Sequence, residues 1–236
     1  MFLKKFFGKI SQVNLRDNDT NKNSRGVMMS SADWDKLWRP TIFSLMRKQN
    51  NWSNGARSAH VNWIDELLQG IPGDGNSILE LGCGTGLIIR GLYEKYDMTS
   101  GMAVDFSKNA LAIACANFIG TNIQIVQTDI IDWNCNEQFD LVVSVGLIEH
   151  FQGDMLVKVI KKHSELLKPN GKVVMIFPRR GWLWPLLKIF NRIQKIIEEP
   201  LVDTEIEEML NIVYLRIVRN KHYLLGMLHG IVAVKK

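Results

Sequence analysis

Ser77-Ile78-Leu79-Glu80-Leu81-Gly82-Cys83-Gly84-Thr85-Gly86-Leu87 is the stretch that decides the fold of this chain. A short apolar run carrying one acid leads into three glycines on alternate positions, and a helical pattern follows. Such a run predicts a buried strand, and glycines at its end let the backbone approach a nucleotide-like ligand before the next helix starts. The spacing is Gly-x-Gly-x-Gly, whereas the dinucleotide dehydrogenases carry Gly-x-Gly-x-x-Gly, with the third glycine one residue later. That difference points away from NAD. Asp105 stands about 20 residues past the last glycine, where a ribose-binding acid is expected.

Outward from this stretch, short apolar runs alternate with helical periods, which is the pattern of a parallel sheet with crossover helices. Strands are predicted at 77–81, 101–105, 123–128, 139–145 and 172–177, and helices at 87–95, 108–118 and 155–167. Leu167-Lys168-Pro169-Asn170-Gly171 reads as a turn launching the fifth strand, because proline presets one turn position and glycine tolerates positive φ at another. Residues 204–210 read as a short helix, and 213–219 and 230–234 as strands. Upstream, 32–48 has helical spacing with Ser31 as N-cap and Pro40 as a kink. A second helix is predicted at 55–68, ended by Gly70-Ile71-Pro72-Gly73-Asp74-Gly75.

The 236 residues suit one large α/β domain with an N-terminal extension better than two full domains. A net charge of +5 fits an acidic partner, or simply a solvated surface with a modest Lys/Arg excess. Cys83, Cys115 and Cys135 form no Cys-x-x-Cys pair and leave one over, which argues against a disulfide framework and against a zinc site. A reducing, cytoplasmic compartment fits them best. No apolar run reaches the roughly 18–20 residues of a membrane-spanning helix. Two segments have the make-up of a membrane-surface helix: the basic amphipathic 1–10, and 182–197, which follows Arg179-Arg180-Gly181-Trp182-Leu183-Trp184-Pro185. A flap packed on the domain, a lid over the site and a surface helix with its stripe on the core are the competing readings.

With Glu80 before the glycines and Asp105 after them, the segment resembles motifs I and II of the class I S-adenosylmethionine-dependent methyltransferases. Leu167–Gly171 is similar to the Leu-Lys-Pro-Gly-Gly turn of that family, with Asn170 replacing the first glycine. The resemblance spans roughly residue 55 to 236. It implies an α/β, Rossmann-like three-layer sandwich, with a seven-stranded, mostly parallel sheet and an antiparallel C-terminal strand. Residues 1–70 would be an N-terminal extension and helical cap, and 71–236 the cofactor-binding domain, with an insertion at 179–200.

Carried over residue by residue, the resemblance implies S-adenosylmethionine as cofactor and S-adenosylhomocysteine as product. Gly82, Gly84 and Gly86 would form the cradle, with Glu80 reaching the methionyl ammonium and Asp105 the ribose hydroxyls. Phe106 would pack on adenine, Asp129 accept from its amino group and Ile130 supply an apolar face. Backbone carbonyls of Val145 and Gly146 would point toward the methionine pocket. Arg57 and His60 lie where a group could approach the cofactor carboxylate. Read as residues alone, Asp129 is equally a helix cap.

Ile148-Glu149-His150 resembles the Leu-Glu-His after the fourth strand of small-molecule and quinone methyltransferases, which places Glu149 and His150 near the acceptor. The metal-assisted quinone enzymes carry a further glutamate three residues earlier; here that residue is Gly146, and no metal is expected. The Asn-Pro-Pro-Tyr motif of amine and amide methylation is missing from this segment. Methyl transfer from a sulfonium needs alignment and water exclusion more than acid-base chemistry. His150 is the natural base if the acceptor must lose a proton, and a structural histidine is the other reading. A small, rather apolar acceptor is expected in preference to nucleic acid. RNA or protein methylation, and a non-catalytic cofactor-binding module, are the alternatives; the oligomeric state is open.

Overall fold

The computed structural model describes residues 29–38, 51–70, 75–181, 184–185 and 200–236, without the side chains of 31, 37 and 51–57. Seven strands form one sheet: β1 (Ser77–Leu81), β2 (Ser100–Asp105), β3 (Ile123–Gln127), β4 (Phe139–Val145), β5 (Leu167–Pro178), β6 (Leu215–Tyr223) and β7 (Leu228–Lys235). Their order is β3-β2-β1-β4-β5-β7-β6. The pairs from β3 to β5 are parallel, and β7 runs antiparallel to both of its neighbours.

The helices are α1 (Ser31–Leu37), α2 (Asn51–Leu68), α3 (Leu87–Lys95), α4 (Lys108–Asn117), α5 (Gly153–Glu165) and α6 (Asp203–Ile212). Side chains alternate across the pleat, so each central strand feeds two cores. Leu79, Leu81, Val142, Met175 and Phe177 face one side, where they pack with Val159 and Ile160 of α5 and Ile206 and Leu210 of α6. Ile78, Ala103, Val143, Val174 and Ile176 face the other, against Ile64 and Leu67 of α2, Ile89 and Leu92 of α3, and Leu111 of α4. The result is the three-layer sandwich that the resemblance implies. The Arg219 guanidinium on β6 donates to the carbonyls of Leu67 (2.8 Å) and Gln69 (2.5 Å), satisfying orphan groups at the C-terminus of α2.

Several boundaries differ from those expected, for local reasons. Ser30, not Ser31, caps α1: its hydroxyl accepts from Asp33 N–H at 3.3 Å, and the Asp33 carboxylate accepts from Ser30 N–H at 3.2 Å. Asp33, three residues on, completes a reciprocal box that Ser31 could not. α1 closes at Trp38; Pro40 and the rest of the expected 32–48 helix lie outside the described residues. α2 is buried at Ile64 and Leu67 and forms part of a sandwich layer. β5 begins at Leu167, so the expected turn is instead an irregular stretch of strand. Leu167 pairs with Phe139, the register shifts before Leu141, and Asn170 absorbs the bend at φ 66°. The amphipathic 1–10 segment and all of 182–197 but 184–185 lie outside the described residues. Among the described residues no helix is long and apolar enough to cross a membrane.

Asp140 ties together the starts of three strands. Its Oδ2 accepts from the backbone N–H groups of Asn76 (3.1 Å) and Ser77 (3.0 Å), the Ser77 hydroxyl (2.5 Å) and the Lys168 ammonium (2.9 Å). Burial pushes the carboxyl up, but the Ser77 and Lys168 donors outweigh it and hold the pKa below the usual value. A carboxyl whose folded pKa is depressed contributes stability above its unfolded pKa, and that stability fades as pH falls through the folded value. Asp140→Ala is therefore expected to cost about 1–3 kcal/mol in urea unfolding at pH 7, by stranding partly buried donors. The gap to wild type should narrow below about pH 4; a gap that stays constant with pH would contradict the assignment.

Candidate active site

The turn after β1 is bonded to the end of β2. Gly82 N–H and Cys83 N–H both donate to the Val104 carbonyl, at 2.8 and 3.0 Å. Gly84 N–H donates to Asp105 Oδ2 at 2.8 Å, and Ser107 N–H to Asp105 Oδ1 at 2.8 Å. Gly82 has φ 68°, and a Cβ there would meet Leu147 Cδ1 at 2.8 Å. Only glycine lets the strand end pass this close to the loop after β4.

This turn floors a cavity whose empty volume of about 1130 Å³ includes open solvent at its mouth. Glu80, Gly82, Gly84, Asp105, Phe106, Asp129, Ile130, Val145, Gly146 and His150 all contribute to its wall. They come from the carboxyl ends of β1 to β4, the crevice where open α/β sheets bind ligands. Other predicted residues lie elsewhere. Gly86, at φ 71°, starts α3 off the wall, and a Cβ there would run into the Phe118 ring at 2.2 Å, so its role is helix packing. Glu149 is 1% exposed and does not line the cavity; its Oε1 would lie 3.4 Å from a Cβ on Gly146. His60 is absent from the wall and packs edge-on to Trp63 at 4.8 Å. The Arg57 side chain lies outside the described residues.

The cavity acids are deeply set. Glu80 is 1% exposed, its Oε2 accepts from Ile89 N–H at 3.1 Å, and burial, with the Asp105 charge added, raises its pKa to about 8. Burial also raises Asp105, against the pull of the N–H groups of Ser107 and Gly84. Asp129 Oδ1 accepts from Ile131 N–H at 3.1 Å, a turn-capping bond that leaves the residue on the cavity wall. The Cys83 thiol is pushed well up, by burial and then by Asp105 and Glu80, so it stays protonated and is no nucleophile. Beneath β4, His163 is fully buried: Nδ1–H donates to the Val159 carbonyl at 2.8 Å, so Nε2 accepts from the Ser144 hydroxyl at 2.9 Å. Burial holds its pKa near 4 and its ring neutral.

Met29, Trp34 and Trp38 belong to no motif in the sequence. All three line the cavity. Trp34 stands edge-on to His150, ring centroids 4.8 Å apart at 83°. Asp35 holds α1 in place: its Oδ1 accepts from the Ser107 hydroxyl (2.6 Å) and Asn109 N–H (3.2 Å), and its carbonyl from Asn109 Nδ2 (2.9 Å). The two tryptophans, four residues apart, were the available signal, since such a pair shares one helix face.

Residues 78–171 match the family described as methyltransferase domain. Over 101 residues the chain is 32% identical to (S)-coclaurine N-methyltransferase of Papaver somniferum, covering 42% of this chain and 28% of that protein. Over 138 residues it is 32% identical to tRNA1(Val) (adenine(37)-N6)-methyltransferase of Glaesserella parasuis, covering 50% of this chain and 59% of that protein. It thus spans less than two thirds of the length of either relative. The fold matches that of magnesium protoporphyrin IX methyltransferase from Synechocystis PCC 6803, solved with bound SAH. The TM-score is 0.61 at 14% identity, over 87% of this chain and 94% of that one. The strand order and the glycine turn agree with that match, so residues 78–171 carry a methyltransferase domain.

Proposed function

We propose that this chain transfers the methyl group of S-adenosylmethionine to a small, largely apolar acceptor. The observation that carries the reading is one cavity with two kinds of wall. Glu80, Asp105 and Asp129 stand on it beside the glycine turn, while Met29, Trp34, Trp38, Leu147 and Phe151 give it an apolar, aromatic side. The acids suit the ammonium, ribose and adenine amino group of the cofactor, whose sulfonium supplies an electrophilic methyl when bound. The aromatic side suits an acceptor with little charge and keeps water from the reacting atoms.

In this reading Glu80 and the Gly82–Gly84 backbone orient the methionyl part, and Asp105 fixes the ribose. The acceptor's lone pair forms the new bond to the methyl carbon as the carbon–sulfur bond breaks, its electron pair staying on sulfur. His150 takes the proton that a hydroxyl or protonated amine must lose, and Trp34 packs against its ring. The activity is tested by incubating the full chain with methyl-labelled cofactor and fractionated host extract. Label in the small-molecule fraction is expected. Label confined to RNA or protein would replace the acceptor class, and no label in any fraction would overturn the activity.

His150→Ala should lower turnover by about 10²–10⁴-fold with S-adenosylhomocysteine affinity unchanged, if His150 is the base. Equal turnover in variant and wild type would make it structural.

Glu80 gives a pH signature. With its pKa raised to about 8 by burial, it is mainly protonated at pH 7 and must ionise to meet an ammonium. Cofactor affinity should therefore rise as pH rises toward 8, and binding at pH 7 should release a proton, measurable by calorimetry in buffers of different ionisation heat. Because this pKa is raised on folding, its contribution to stability is full below the unfolded value and is lost as pH climbs through the folded one. Glu80→Gln should accordingly bind cofactor more weakly, yet gain stability over wild type between about pH 5 and pH 8.

A further inference from the structure

On the β6–β7 side of the sheet, three side chains from three elements meet at a place that contributes nothing to the cavity wall. His222 stands directly opposite His229 in the antiparallel β6–β7 ladder, so both imidazoles leave the same face. Their ring centroids are 4.7 Å apart, and the Phe177 ring, next along the ladder, lies 5.3 Å from that of His229. Asp203 opens α6 and brings Oδ1 to 2.9 Å from His229 Nδ1 and Oδ2 to 3.6 Å from His222 Nε2. One ligand atom from each residue lies within 4.8 Å of those of the other two.

A second observation points to something that binds here. His229 is 3% exposed, and its Nε2 makes no hydrogen bond among the described residues. Nδ1 lies 2.9 Å from Asp203 Oδ1, which leaves Nε2 as the nitrogen without a partner. A buried ring nitrogen left in this state costs free energy that a ligand can recover.

We propose that Asp203, His222 and His229 bind a divalent transition-metal ion of the zinc class, which pins the start of α6 to the β6–β7 hairpin. Two imidazoles and one carboxylate form a donor set for zinc, iron or nickel and a poor one for calcium or magnesium. The ladder register holds the two imidazoles together in advance. Small side-chain rotations would bring the three donors to the roughly 2.0–2.2 Å that zinc requires, with water in the fourth position. The half-exposed His222 provides the entry path. Arg179 is the opposing feature: its Nε donates to both Asp203 oxygens at 2.9 Å, and its Nη2 lies 2.7 Å from Oδ2. It orients the carboxylate from outside and leaves it further lone pairs for a metal, while its positive charge weakens the hold on a cation.

The test is titration of the metal-stripped full chain with Zn²⁺ by calorimetry and with Co²⁺ by visible absorption. Expected are about one equivalent bound and a higher thermal midpoint with Zn²⁺, with a cobalt spectrum free of thiolate charge-transfer bands. His222→Ala, at a half-exposed position that spares the fold, should weaken binding by at least about tenfold. His229→Gln, which keeps a side chain of similar reach, should do the same. No stoichiometric binding by wild type, a thiolate band, or binding that His222→Ala leaves unchanged would each overturn the proposal.

Discussion

The bond from Gly84 N–H to Asp105 Oδ2 is the constraint on which the site depends. With the Gly82 and Cys83 N–H groups held by the Val104 carbonyl, it joins the turn after β1 to the end of β2. Because Gly82 cannot carry a side chain against Leu147, the loop after β4 closes onto the same turn. The crevice between these strand ends is therefore a consequence of backbone chemistry at one turn, and side chains decorate it.

That geometry has an electrostatic cost. Glu80 and Asp105 are both buried, each holds a backbone N–H, and both are pushed toward their protonated forms. Two buried acids side by side carry a desolvation cost that a bound cation relieves. A ligand carrying an ammonium and two vicinal hydroxyls would meet the demands of both acids at once, which is the physical support for the proposed cofactor. Nothing comparable constrains the aromatic side, where Trp34 and Trp38 arrive on a short helix held by Asp35.

The legibility of the sequence follows the same division. β1 and β4 run as expected, at 77–81 and 139–145, because strands buried on both faces leave continuous apolar runs. Glycine spacing and strand-end acids pointed to the cavity floor because local backbone demands select those residue types. Gly86 and Glu149 did not reach the wall: a motif records which residues stand together in sequence, whereas helix packing against Phe118 and burial behind Gly146 depend on distant partners. The same limit hid Met29, Trp34 and Trp38 as wall residues. His222, His229 and Asp203 share no motif, and only the β6–β7 register and the position of α6 bring them together.

The most direct measurement of the central claim is a crystal structure of the full chain grown with saturating S-adenosylhomocysteine. The account predicts one ligand molecule lying along the turn after β1, its ribose hydroxyls on Asp105 and its amino-acid end toward Glu80. An unfilled cavity, or ligand bound elsewhere on the chain, would contradict it.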